Sequence, residues 1–178
     1  MIRWVIFLTA FAPSPQEPDR SSVDFRRLAG FVGSWEGRES GRAGDGTGDR
    51  KCELVLGDSF LFCDNTSTFP PQEKNPAGEV HRDWTVFSYD RQRARFVIRQ
   101  FNVETFVNQL VLDTEASDAD RMVFVSESSE NAPEGTRVRL TYRFEGTDRF
   151  EETFEIAWPG QPFEIYVTNR WRRAAARR

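Results

Sequence analysis

The sequence predicts an all-β protein: about ten short antiparallel strands in up-and-down order, closed into a β-barrel, with a short N-terminal helix. Three observations predict it. Alternating apolar and polar runs recur at near-regular spacing, bounded by Gly, Pro, Asn and Asp, the pattern of a barrel or sandwich. Nearly every connection is short enough for a hairpin, and closing such a meander removes both edge strands. The last third of the chain can also be paired by hand into three strands whose opposed residues match.

That pairing starts from Gly146-Thr147-Asp148 as a short loop. Glu145 then faces Arg149, Arg143 faces Glu151, and Arg139 faces Glu155, so the directly opposed charges differ in sign. A two-residue loop would oppose Glu145 to Asp148, a like-charge contact. The other face pairs Phe144 with Phe150, Tyr142 with Glu152, Leu140 with Phe154, and Val138 with Ile156. A turn at Pro159-Gly160 brings the chain back, setting Trp158 against Phe163, Ile156 against Ile165, Phe154 against Val167, Glu152 against Asn169, and Phe150 against Trp171. One face is salt-bridged and the other aromatic.

In chain order, Met1-Ile2-Arg3 and the apolar run to Ala12 have the pattern of a signal peptide over 1–12, ending in Ala-Phe-Ala. The run is too short to span a bilayer, so no stable membrane insertion is expected. Residues 13–21 read as a disordered, Pro-containing leader, 22–173 as one barrel domain, and 174–178 as a basic tail. Ser21-Ser22 caps a helix from Val23 to Ala29, stopped by Gly30. The first strand runs from Phe31 to Arg42, and Ala43 to Gly48 reads as a glycine-rich loop. The hairpin around Gly57-Asp58 places Cys52 opposite Cys63, at a separation that a disulfide accepts. Phe69 to Val80 is rich in breakers. Strands then follow near 82–89, 94–101, 106–112 and 122–126, ahead of the final meander.

The 178 residues carry a net charge of −4, with 38% hydrophobic and 29% charged residues. That length suits one domain. The balance disfavours nucleic acid, which needs a basic footprint; the arginines from Arg170 to Arg178 read as a solvated tail. The 16 Phe and 5 Trp suit strands and fill barrel interiors.

Two constellations stand out. The row Tyr142, Glu152, Asn169 crosses the aromatic face; if that face lines the lumen, these are the few placed polar groups of a ligand pocket. The other reading leaves Glu152 hydrated at the barrel mouth. Trp84, Arg99 and Asn108 form a second group, in which Arg99 could take a carboxylate bidentately or lie outside across the Trp ring. Asp45 to Asp49 hints at a calcium loop, but Arg50 and Leu56 stand where such a loop needs glycine and a bidentate acid. Asp113, Glu115, Asp118 and Asp120 read as a solvated turn. His81, the sole histidine, has no partner pattern for zinc, so no metal site is expected.

Gly33-Ser34-Trp35-Glu36-Gly37, just after the helix, resembles the Gly-x-Trp opening of the calycin barrels, which include lipocalins, fatty-acid-binding proteins and nitrobindin-like barrels. Tyr89-Asp90 and the ten-strand count look most like the nitrobindin-like and uncharacterised bacterial lipocalin-like proteins, over Phe25 to Arg173. The resemblance implies that Trp35 closes the barrel floor with Arg170 or Arg172 laid over its ring, a cation–π contact. Nitrobindin-like haem binders use a histidine near the C-terminal strands; here that stretch offers Tyr166, Thr168 and Asn169. Haem is therefore disfavoured, with Tyr142 or Tyr166 as remote axial substitutes, and no cofactor is expected. The expected function is non-enzymatic binding of a small hydrophobic or amphipathic ligand in the lumen of an exported protein, periplasmic or extracellular, with a cytoplasmic location as the alternative. Two other classes remain open: an enzyme using Glu152 as acid/base, and a structural or partner-binding barrel with a filled lumen.

Overall fold

The structure, a computed structural model, describes residues 26–175. The expected signal peptide, the leader, the start of the helix and the last three residues of the tail lie outside them. Ten strands form the molecule: β1 (Gly33–Gly41), β2 (Gly44–Val55), β3 (Phe60–Phe69), β4 (Glu79–Asp90), β5 (Arg95–Asn102), β6 (Val107–Leu112), β7 (Arg121–Glu130), β8 (Arg137–Phe144), β9 (Arg149–Ala157) and β10 (Glu164–Arg173). Each pairs antiparallel with the next, and β1 pairs with β10 from Trp35↔Arg173 to Gly41↔Val167, closing the barrel. Among the described strands no edge is left unpaired.

The expected N-terminal helix is corrected. The described residues hold one helical turn, Arg26–Ala29, and the fold is all-β with no helical layer. The turn tightens through short-range bonds, Phe31 N to Leu28 O at 3.0 Å and Val32 N to Ala29 O at 3.2 Å. Leu28 and Phe31 are fully buried, so this segment serves as a stopper for one end of the barrel. One turn is below the length at which a helix sustains itself.

The hand-built meander register holds across β8 and β9: Tyr142 faces Glu152, Phe144 faces Phe150, and Glu145 N bonds Arg149 O at 2.9 Å around the three-residue loop. On the outer face Arg139 grips Glu155 bidentately at 2.6 and 2.5 Å. Across β9 and β10, Phe154↔Val167, Glu152↔Asn169 and Phe150↔Trp171 are also as expected. A bulge between Ile165 and Val167 moves the mouth end by one residue, so Ile165 faces Glu155 and Ile156 faces Glu164. The extra residue of a bulge carries no signature in the alternation pattern.

The stretch from Ala43 to Gly48 is not a loop. The chain turns at Arg42-Ala43, and the glycines belong to β2. Gly37 faces both Gly48 and Trp171. A Cβ at Gly37 would lie 2.7 Å from Trp171 Cζ3, and one at Gly48 only 2.5 Å from Cη2. The indole ring lies flat on bare backbone, which only glycine permits.

Below Trp171 the barrel is solid. Phe31 packs at 4.8 Å from both Tyr142 and Phe144, and Trp35 at 4.7 Å from Phe150. Above it the barrel is hollow.

A half-hollow lumen with one acidic wall

The hollow half is a cavity of about 280 Å³, opening where β1 ends and β10 begins. Its walls differ. Val138 from β8, Phe154 and Ile156 from β9, and Val167 from β10 make an apolar side. Opposite them, β1 to β4 present Glu39, Arg50, Asn65, Ser67, His81 and Asp83. Strand alternation places them: Arg50, Asn65 and Asp83 are register partners on three successive strands, and all point inward.

Glu152 anchors the bottom. Its Oε2 accepts from Trp171 Nε1 at 2.9 Å and pairs with Arg50 at 2.7 Å. The Arg50 guanidinium lies 4.3 Å over the Trp171 ring. Burial pushes the Glu152 carboxyl up from its ordinary range, opposed by Arg50. Burial, with Glu152 close by, drives the Tyr142 hydroxyl well above its usual value, so the phenol stays neutral.

Asn65 links the polar wall. Its amide donates to Asp83 Oδ2 at 2.8 Å and its oxygen accepts from Arg50 Nε at 3.3 Å. Thr85 donates to the other Asp83 oxygen at 3.2 Å. Ser67 donates to Glu39 Oε1 at 2.7 Å. Burial raises Glu39 to about 7, with the Ser67 bond and Arg50 pulling down and Glu152 and Asp83 pushing up. At the mouth, His81 Nδ1 meets Glu104 at 2.8 Å and Nε2 lies 3.7 Å from Asp83. Glu79, His81 and Glu104 bring one ligand atom each within 4.8 Å of one another, the one such group among the described residues.

Of the expected site residues, Tyr142, Glu152 and Asn169 do lie side by side in the interior, each at most 6% exposed. Glu152 takes its bonds from Arg50 and Trp171. The Oδ1 atom of Asn169 has no hydrogen-bond partner.

The second group does not assemble. Arg91 to Ala94 form a four-residue loop, capped by the Asp90 carboxylate accepting from the Gln92 and Arg93 amides, and Asp90 faces Arg95. The register is therefore two residues from the expected one. Trp84 faces Phe101 and is 55% exposed, while Arg99 faces Val86 on the outside. Asn108 alone is buried, donating to Gln100 at 3.3 Å.

Trp35 is buried at the closed end, donating to Phe31 O at 2.7 Å. The cation over its ring is Arg173, at 4.4 Å, rather than Arg170 or Arg172. Those two alternate outward, to Glu151 and Glu36. Cys52 and Cys63 face each other inside, with their sulfurs bonded and Cα atoms 4.1 Å apart.

Glu39, Arg50, Asn65 and Asp83 were missed. Toward the open end the inward face of β1 to β4 is polar, so there apolar alternation gives no sign of which side is inside. Arg50 had been weighed only as a misfit in a calcium loop.

Of the side chains that could ligate a haem iron, His81 has both nitrogens facing carboxylates, Tyr142 stays protonated, Met122 is packed in the core and the cysteines are paired, while Tyr166 lines the cavity.

No family model matches the chain, and no curated protein matches it. Among solved structures, the crystal structure of Rv2717c from M. tuberculosis is similar, with a TM-score of 0.64 at 16% identity, over 85% of this chain and 97% of that one. At that identity the likeness is one of fold: a ten-stranded antiparallel barrel.

Proposed function

We propose that the barrel is a non-enzymatic, calycin-like binder of a small amphipathic molecule, held in the lumen above Trp171, and that it works outside the cytoplasm. The observation that carries the reading is the split cavity. An apolar wall on β8 to β10 faces buried hydrogen-bonding groups on β1 to β4, the composition of small-molecule sites. A lipocalin-like grouping is consistent with the buried Trp35 under a basic side chain. Export is supported by the bonded cysteines, since disulfides persist in oxidising compartments, and by the leader pattern at 1–12. Haem is not the ligand in this reading.

The test is displacement of a neutral apolar fluorescent dye, N-phenyl-1-naphthylamine. Glu152→Leu should change dye affinity strongly. Glu151→Leu removes only an exposed pair with Arg170, worth about 0–1 kcal/mol, and should leave affinity unchanged. Equal effects would reject the lumen as the binding site.

A further inference from the structure

We propose that the lumen selects organic ammonium ions: small amines whose charged head sits among Asn169, Glu39 and Asp83 and whose hydrocarbon body lies against Val138, Phe154 and Ile156. The inference rests on the lumen being the binding site, as proposed above, and names the ligand class.

Asn169 is the pointer. It is 6% exposed and lines the cavity, yet its amide oxygen has no partner. Buried acceptors are normally satisfied, so this one marks a place where a donor belongs. Its register neighbours are Glu39 on β1 and Glu152 on β9, both acceptors when ionised. No neighbouring strand supplies the missing donor.

The charge inventory points the same way. Three buried acids, Glu39, Asp83 and Glu152, stand against Arg50, the one buried cation among the described residues, and a cation beside Glu39, raised to about 7 by burial, would favour its ionised form. Arg50 is already engaged, by Glu152 at 2.7 Å, by Asn65 at 3.3 Å and by the Trp171 face. The mouth adds Glu79 and Glu104, while Arg42 is drawn to Glu164 at 2.8 Å. An entering anion would pass more acids than cations, whereas a cation would be drawn inward.

An ammonium group brings positive charge and, when primary, three N–H donors with no acceptor, the complement of this site. A bare metal ion would use the acids but leave the apolar wall without a partner. A fatty acid would use the wall but add another carboxylate to a crowded set.

Octylammonium, octanol and octanoate are competed against N-phenyl-1-naphthylamine on the full protein at neutral pH. Octylammonium is expected to displace the dye at about ten-fold lower concentration than octanol, with octanoate weakest. Asn169→Leu, with folding checked by its melting curve, should erase most of that advantage while leaving octanol unchanged. Octanoate matching or surpassing octylammonium, or equal displacement by all three, would overturn the ammonium assignment and leave the lumen reading standing. Absence of dye binding, together with no calorimetric heat from any of the three, would overturn both. If the variant fails to fold, the ranking on the native protein decides alone.

Discussion

Arg50 and Glu152 meet at 2.7 Å inside the barrel, with side-chain exposures of 5% and 4%. Two charges so far from water are held there only because each has further partners: the Trp171 N–H for Glu152, the Asn65 oxygen and an indole face for Arg50. Removing one partner strands the other, and breaking a buried pair costs far more than the pair is worth as a whole. Arg50→Met should therefore destabilise the protein by about 3–5 kcal/mol. Arg50→Met with Glu152→Leu should lose much less than the sum of the two single changes. Additive losses in urea unfolding would show that the two groups are not coupled.

Glu39 gives a pH signature. Its carboxyl is raised to about 7 in the fold, chiefly by burial, among Ser67, Arg50, Asp83 and Glu152. Because the folded value is raised, its contribution to stability is fully present below its unfolded value near 4.5 and is lost as pH rises through about 7. The full swing is roughly 3 kcal/mol. Glu39→Gln should flatten this fall, so that the variant gains on the native protein between pH 5 and 8. Parallel stability profiles would contradict the assignment.

The glycine seat of Trp171 predicts a packing penalty. Gly48→Ala would push a methyl group against both Glu39 Oε1 and the indole ring and should cost about 1–3 kcal/mol, with a shift in tryptophan emission. An unchanged midpoint would mean the ring does not rest on that backbone.

Cys52 and Cys63 close a short loop, eleven residues apart in sequence. Denatured, unreduced protein recovered from an oxidising compartment should titrate no free thiol. Reduction should remove roughly 3 kcal/mol of stability by the chain-entropy account. Two titratable thiols in the exported protein would refute the bond.

Haem titration should yield no sharp Soret band at one haem per chain, because His81 is held between carboxylates and the buried Tyr142 phenol stays neutral. Such a band, abolished by Tyr142→Phe, would reverse this.

How far the sequence carried this reading depended on which half of the barrel was involved. In β8 to β10, charge pairs sit on one face and aromatic residues on the other, so Glu145, Arg149 and Phe150 defined register and direction together. That placed Tyr142, Glu152 and Asn169 on the inward face, where Glu152 and Asn169 line the cavity and Tyr142 packs in the solid half. Toward the open end of β1 to β4 the interior is polar: Glu39, Arg50 and Asp83 look like surface residues until the barrel closes around them. Alternation could not signal that they were inside. The Trp84–Arg99 pairing failed for a smaller reason. Ala94 takes a positive φ of 51°, lengthening the loop, and that conformation is uncommon for a residue with a side chain. Arg173 over Trp35 was one residue from the expected Arg172, on the opposite face of the strand.

The closure of β1 on β10 also determines how the barrel could be handled. Gly33 and Arg173 both lie at the end stoppered by Leu28 and Phe31, while the cavity opens at the other end. A tether joined at Gly33 or Arg173 would leave from the blind end. A surface-immobilised or fused form would therefore hold its opening outward, like a cup standing on its base.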